Sequence, residues 1–236
     1  MLSTPLSCAS PAASPASATP SWRVGSTPDA LRAVLHPARN AAVWERTLPS
    51  WVSAGLSEWA QRGSSSFDAV VDVPRVPEGL TRGLSGRLAA WLEADVSSLL
   101  ALAAELTGAR RAKVAWSSEH GERCPKFHVD YVLCRLICTY VGPGTLWLPD
   151  DAVDRAALEH ALDCPCDSAP PVLSDPARVR QAGPGHVLAL KGVHAGSPQG
   201  AVHKSPPVAP GDARAVLVIT VKEPARSPTT PPPRGP

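Results

Sequence analysis

From Gly108 to Lys222 the chain is cut into short apolar runs by Gly and Pro, and this punctuation constrains its fold more than any other feature. Ala112–Trp116, Lys126–Asp130, Leu133–Val141, Gly144–Leu148, His186–Lys191, Gly200–His203 and Arg214–Lys222 each read as a strand, and none exceeds nine residues. Runs this short, rich in Val, Ile and Leu and bounded by turn residues, predict a β-sandwich or a small barrel. Asp150–Leu162 carries a helical pattern, and Cys164-Pro165-Cys166 lies in a Pro-rich loop.

The residues before Gly108 have a different texture. Ser26-Thr27-Pro28 predicts a helix start, with the helix running through Asp29 to Leu35 and stopping before Pro37. Ala41–Leu48 is a short apolar segment. Ser50 predicts a cap for a helix over Trp51–Gln61 that Gly63 ends. Phe67–Val73, with Val70, Val71 and Val73, reads as a strand, and Leu84–Leu106 repeats its apolar residues at helical spacing. Trp22, Trp44, Trp51, Trp59 and Trp91 fall in this half, as packing residues. The expected organisation is a disordered leader over 1–25, a mainly helical section over 26–107, a β-rich unit over 108–223 and a disordered Pro-rich tail over 224–236.

The net charge is +2 with both signs interspersed, and no basic run appears, so a nucleic-acid partner is not expected. No apolar run approaches the ~18 residues of a membrane span. Met1–Pro20 lacks the basic start and apolar core of a secretory signal, so a cytoplasmic protein with reduced thiols is expected. Six cysteines in a chain of this length do not make a disulfide framework. Cys134 and Cys138, in one strand, would stand roughly 13 Å apart.

His128 and Asp130 form a His-x-Asp pair in a strand, where residues i and i+2 point to the same side. They can therefore present an imidazole and a carboxylate to one ion. His203, delivered by another strand, would complete two His and one carboxylate on one face of the metal, a donor set suited to iron(II) and dioxygen. The open positions would accept a bidentate 2-oxo acid. Its far carboxylate needs a cation, and Arg214, eleven positions after His203 at the head of the last strand, is placed to supply a planar two-bond fork. Tyr140 is in phase with the His-x-Asp pair, as a hydroxyl donor to an oxo acid or as core. Arg135 faces away if its strand is unbroken, pairing with an acidic residue, but a bulge near Tyr131 would bring it round as a second anion anchor. His194 is an alternative third ligand. A rival zinc site would draw on Cys124, His128, Cys134, Cys138, Cys164 and Cys166, though Cys164-x-Cys166 is tighter than usual zinc spacing. Gly142-Pro143-Gly144 reads as a tight turn shaping the mouth of the site, not a phosphate loop.

The run from His128 through Arg135, Thr139 and Tyr140 to Gly144, Trp147 and Pro149 resembles the signature of a mainly bacterial family, domain of unknown function 1826. Leu190-Lys191-Gly192, Val202-His203-Lys204-Ser205-Pro206-Pro207 and Ala42-Val43-Trp44-Glu45-Arg46 fit its other blocks. Lys204 stands where that family often has Arg, which keeps the charge without the fork. The resemblance implies a link to zinc-limitation genes. The order His128, Asp130, Pro184-Gly185, His203, Arg214 is also similar to that of iron(II)/2-oxoglutarate dioxygenases of the prolyl-hydroxylase type. That similarity implies an α+β fold with the helical section packed on a C-terminal double-stranded β-helix, the cupin-like jelly-roll barrel. It implies Fe(II) and 2-oxoglutarate as cofactors, His128, Asp130 and His203 on the metal, Arg214 with Tyr140 and Arg135 on the co-substrate, and hydroxylation of an unknown small-molecule or protein substrate. A zinc-binding, non-catalytic protein and a metal-free cupin-like binder are the alternatives.

Overall fold

The computed structural model describes residues 19–84, 86–120, 124–163, 172–173, 175–195 and 199–222. Inside the expected leader, β1 (Trp22–Gly25) pairs in parallel with β2 (Ala41–Trp44). The link between them is a 3-10 helix over Pro28–Leu35 that buries Ala30, Leu31, Ala33 and Val34. Next comes α1 (Ser50–Gln61), where Ser50 is the first helical residue rather than a side-chain cap. Pro49 precedes it, and its carbonyl accepts from the Val52 and Ser53 amides at 2.9 and 3.1 Å. The strand β3 (Ser65–Asp72) leads to α2 (Gly86–Thr107), which ends at Gly108 with φ +67°, the left-handed conformation that closes a helix at little cost for glycine.

The remaining elements are β4 (Arg111–Glu119), β5 (Cys134–Val141), β6 (Leu146–Trp147), α3 (Arg155–Asp163), β7 (Arg180–Gln181), β8 (Val187–Lys191), β9 (His203–Lys204) and β10 (Arg214–Val221). The helix expected over Asp150–Leu162 is divided into a 3-10 turn at Asp150–Ala152 and α3. Between them Val153 leaves the helix to bridge Leu173. Of the strand expected at Lys126–Asp130, only His128 pairs, as a bridge to His203.

Among the described residues ten strands form two sheets, a major one in the order β1-β2-β8-β5-β10-β4-β3 and a minor one in the order β7-β6-β9. The His128 bridge extends the minor sheet beyond β9. Because β1, β2 and β3 lie toward the two edges of the major sheet, the described residues up to Thr107 do not form a helical section docked on a separate barrel. They supply strands and covering helices to one mixed, sheet-rich unit.

Strand alternation gives the major sheet two different faces. One face, carrying Val114, Trp116, Leu136, Cys138, Tyr140, Leu217 and Ile219, packs against Val52, Leu56, Trp59, Leu92, Val96 and Leu99 of α1 and α2. Trp59 stacks on Trp116 at 5.0 Å between centroids, and Tyr140 meets the edge of Trp116 at 5.5 Å. Each such side chain contributes roughly 1.5–3 kcal/mol by burial. The other face looks toward the minor sheet. There Ile137, Leu188, Leu190 and Val216 pack with Trp147 and Ala201, and Trp22 of β1 closes on Trp147 at 5.7 Å. Beside this second cluster the two sheets leave a cavity of about 470 Å3. No helix among the described residues is long and apolar enough to cross a membrane.

Candidate metal centre

The minor sheet brings two histidines together. His128 and His203 exchange both backbone hydrogen bonds, each at 3.0 Å, so they are direct antiparallel partners with side chains on one face. Their rings lie 4.5 Å apart between centroids. Asp130, two residues on from His128, places its carboxylate against both: Oδ1 is 3.8 Å from His128 Nε2, and Oδ2 is 3.3 Å from His203 Nε2. The ligand atoms of His128, Asp130 and His203 all fall within 4.8 Å of one another.

The hydrogen bonds fix the chemistry of this cluster. His128 Nδ1 lies 3.0 Å from the Lys126 carbonyl and His203 Nδ1 lies 3.1 Å from the Ala201 carbonyl. A carbonyl only accepts, so each Nδ1 carries a proton and each ring turns Nε2 toward Asp130. Burial, and next His203, lower the pKa of His128, which favours its neutral form. Burial alone would raise the Asp130 pKa, but His203, Arg135 and His128 outweigh it and hold the carboxyl below its usual range. Asp130 Oδ2 is buried without a hydrogen-bond partner. Nε2 of both rings and Asp130 Oδ2 thus converge on one point, an arrangement that a cation can satisfy.

Between Asp130 and β5 the chain bends at 131–133. The bend is pinned from the segment after β8. The Val193 and His194 amides donate to the carbonyls of Asp130 and Val132 at 3.0 and 3.2 Å. Gly192 approaches so closely that a Cβ there would meet the Val132 carbonyl oxygen at 2.0 Å. The bend shifts strand phase by one residue, and a one-residue shift exchanges the faces of everything downstream. Arg135 therefore comes round to the cavity, where Nη1 meets Asp130 Oδ1 at 2.8 Å. Its acidic partner is one of the candidate ligands.

The same shift turns Tyr140 away. Expected in phase with the His-x-Asp pair, it lies instead in the helix-side core and donates to Asp95 Oδ2 at 2.5 Å, so it does not serve a co-substrate. Thr139 takes the cavity-side position. With Thr145 it surrounds Arg214, whose Nη2 is 3.2 Å from each hydroxyl oxygen. Arg214 Nε donates to the Pro143 carbonyl at 3.0 Å, so the Gly142-Pro143-Gly144 turn shapes the pocket around this guanidinium. Arg214 Nη1 reaches Glu119 Oε2 at 3.2 Å, and Ser117 Oγ donates to Glu119 Oε1 at 2.8 Å. Both charged groups are buried, and with Thr145, Arg135, His128 and His203 they line the cavity. From sequence Thr139 and Thr145 read only as strand and turn residues, and Glu119 does not stand out. Phase alone would have found Thr139 once the bend was known.

The alternative ligands do not join this cluster. His194 is exposed and meets the Tyr131 ring edge at 6.2 Å. Cys124 lines the cavity but stands outside the converging group. Cys134 and Cys138 face the helix-side core, where burial pushes their thiols up to about 12 and about 11. A zinc site joining them to His128 is therefore excluded by the sheet between them. Cys164 and Cys166 lie outside the described residues.

The fold matches that of known oxygenases. Dioxygenase for auxin oxidation 1 from Arabidopsis thaliana, in its binary complex with 2-oxoglutarate, aligns with a TM-score of 0.51 at 8% identity, covering 85% of this chain and 89% of that one. The rice dioxygenase for auxin oxidation gives 0.49 at 14% identity over 84% of this chain and 78% of its own. A Pseudomonas putida prolyl-4-hydroxylase gives 0.47 at 9% identity over 83% and 98%. The Arabidopsis likeness shows a shared fold: a sheet-rich fold similar to that of 2-oxoglutarate oxygenases. By sequence, the chain belongs to the family described as a protein of unknown function, DUF1826, whose model matches residues 25–219. Among curated proteins no sequence matches the chain.

Proposed function

We propose that this protein is an iron(II)- and 2-oxoglutarate-dependent dioxygenase that hydroxylates a C–H bond, built on a double-stranded β-helix. The observation that carries the reading is the convergence of His128, Asp130 and His203 as acceptors in a cavity that also holds the buried Arg214. Iron(II) held by these three residues, with 2-oxoglutarate bound, would couple oxidative decarboxylation of the oxo acid to hydroxylation by dioxygen. The Nδ1 ties keep both imidazoles in the metal-binding tautomer and fix their ring planes before any ion arrives. Arg135 holds Asp130 Oδ1 and leaves Oδ2 for coordination. Arg214 supplies the cation for the far carboxylate of the oxo acid, and Thr139 and Thr145, which accept from it, keep their own O–H groups to donate. Ile137, Val216 and Val218 give the cavity an apolar wall that excludes water from the reacting centre. Reduced, buried Cys134 and Cys138 suit the cytoplasmic setting that belongs to this reading.

The test is anaerobic addition of iron(II) and 2-oxoglutarate to the purified protein, followed by visible spectroscopy. A weak charge-transfer band that His203→Ala abolishes is the expected result. No band, together with tight zinc binding that survives His203→Ala, overturns the oxygenase in favour of a zinc protein.

A further inference from the structure

We propose that Glu119 competes with the 2-oxo acid for Arg214, and so determines both the affinity for 2-oxoglutarate and the selectivity between charged and neutral tails. The inference rests on the assignment of Arg214 as the anchor of the far carboxylate. A guanidinium has five N–H donors. Here four of them have acceptors: the Pro143 carbonyl on Nε, Thr139 and Thr145 on Nη2, and Glu119 on Nη1. A carboxylate bound in the two-bond manner needs a pair of parallel N–H groups. The Nε side is closed by a backbone carbonyl that the Gly142-Pro143-Gly144 turn fixes. At the other end both Nη2 hydrogens go to the threonines, so an incoming carboxylate is received by Nη1 and the two threonine hydroxyls, and Glu119 Oε2 already stands against Nη1 at 3.2 Å.

The two threonines do not block an incoming anion, because each hydroxyl accepts from Arg214 through its oxygen and can donate its own hydrogen to a carboxylate. Glu119 does block it. When ionised it has no hydrogen to offer, its other oxygen is held by Ser117 Oγ at 2.8 Å, and it lines the same cavity. A second carboxylate at Arg214 would face this one in a buried setting where screening is weak. An oxo acid with a neutral tail meets no such repulsion. Glu119 thus acts as a built-in occupant of the tail site, displaced only when a dicarboxylate gains more from Arg214, Thr139 and Thr145 than the Glu119 pair gives up. It is a specificity-determining residue that the His-x-Asp, His and Arg pattern does not include.

Calorimetric titration of the full chain loaded with manganese(II), which fills the metal site without turnover, measures this directly. The probes are 2-oxoglutarate and 2-oxopentanoate, which differ only in the far carboxylate. Glu119→Gln keeps the shape and removes the charge, and is expected to tighten 2-oxoglutarate at least about tenfold while 2-oxopentanoate changes little. Glu119→Ala provides the same charge change where the glutamine variant fails to fold, and should move the ratio of the two affinities in the same direction. Equal or weaker 2-oxoglutarate binding in folded variants, with the wild type binding it well, overturns the competition and leaves the oxygenase assignment standing. Absence of 2-oxoglutarate binding in every form removes both.

Discussion

Two arginines, Arg46 half-buried and Arg214 buried, lie on opposite faces of the same sheet, and they are arranged for different ends. Arg46, on the helix side, is fully matched: Nη1 and Nη2 meet the two oxygens of Asp95 at 2.5 and 2.8 Å, Nε donates to the Gly185 carbonyl at 2.8 Å, and Nη2 also approaches Cys138 Sγ at 3.5 Å. Burial alone would lower its pKa, but the Asp95 pair raises it far beyond the ordinary arginine value. Arg214, on the cavity side, has a single contact to its carboxylate and two threonine hydroxyls, and here burial prevails and its pKa falls. Matched charge makes a structural clamp between the turn before β8, β5 and α2. Incompletely matched charge beside a 470 Å3 cavity makes a place for a ligand.

The largest effect should come from Arg46→Met, which strands Asp95 in the core. A loss of about 3–5 kcal/mol in urea unfolding is expected, with most of it regained in Arg46→Met/Asp95→Leu because an apolar pair suits that core. Arg214→Met should cost less, about 1–2 kcal/mol, since water entering the cavity can reach Glu119. The same change should weaken 2-oxoglutarate by about a hundredfold in titration. Equal destabilisation by the two substitutions, with oxo-acid binding intact, would break the contrast and make Arg214 a second clamp. Tyr140→Phe gives the smallest change: about 1 kcal/mol of stability for the lost bond to Asp95, and unaltered 2-oxoglutarate affinity. A fall in that affinity would put Tyr140 back into the site.

The strand period was enough to read the convergence of His128, Asp130 and His203 from sequence. His128 and Asp130 share a face because they are two apart, and His203 arrives from another strand, so local pattern and chain order sufficed. The core of the major sheet was similarly visible in Leu133–Val141 and Arg214–Lys222. What local pattern does not encode is the bend at 131–133, because its cause lies some sixty residues downstream in Gly192 and Val193. The phase expected for Tyr140 was off for that reason, so of its two readings the core one is where it lies, and Thr139 was read only as a strand residue. Glu119 was missed because the glutamate becomes interesting only once β4 sets it opposite Arg214 in register. The strand β1 was invisible for another reason. Four residues at a sheet edge, Trp22–Gly25, carry too little apolar pattern to stand out from a polar leader.

The bend between Asp130 and Cys134 also bears on how such a chain can change over time. Its task is to count residues, and side-chain identity matters less to it than number. Removing or adding one residue there would present Leu136, Cys138 and Tyr140 to the cavity and drive Arg135, Ile137 and Thr139 into the helix-packed core. Substitutions at Tyr131, whose side chain is largely exposed, should be absorbed easily. A change of length in the same few positions should be lethal to both the core and the site. In homologous chains this segment should therefore be recognisable by a fixed spacing between the aspartate and the following arginine, even where every residue between them has drifted.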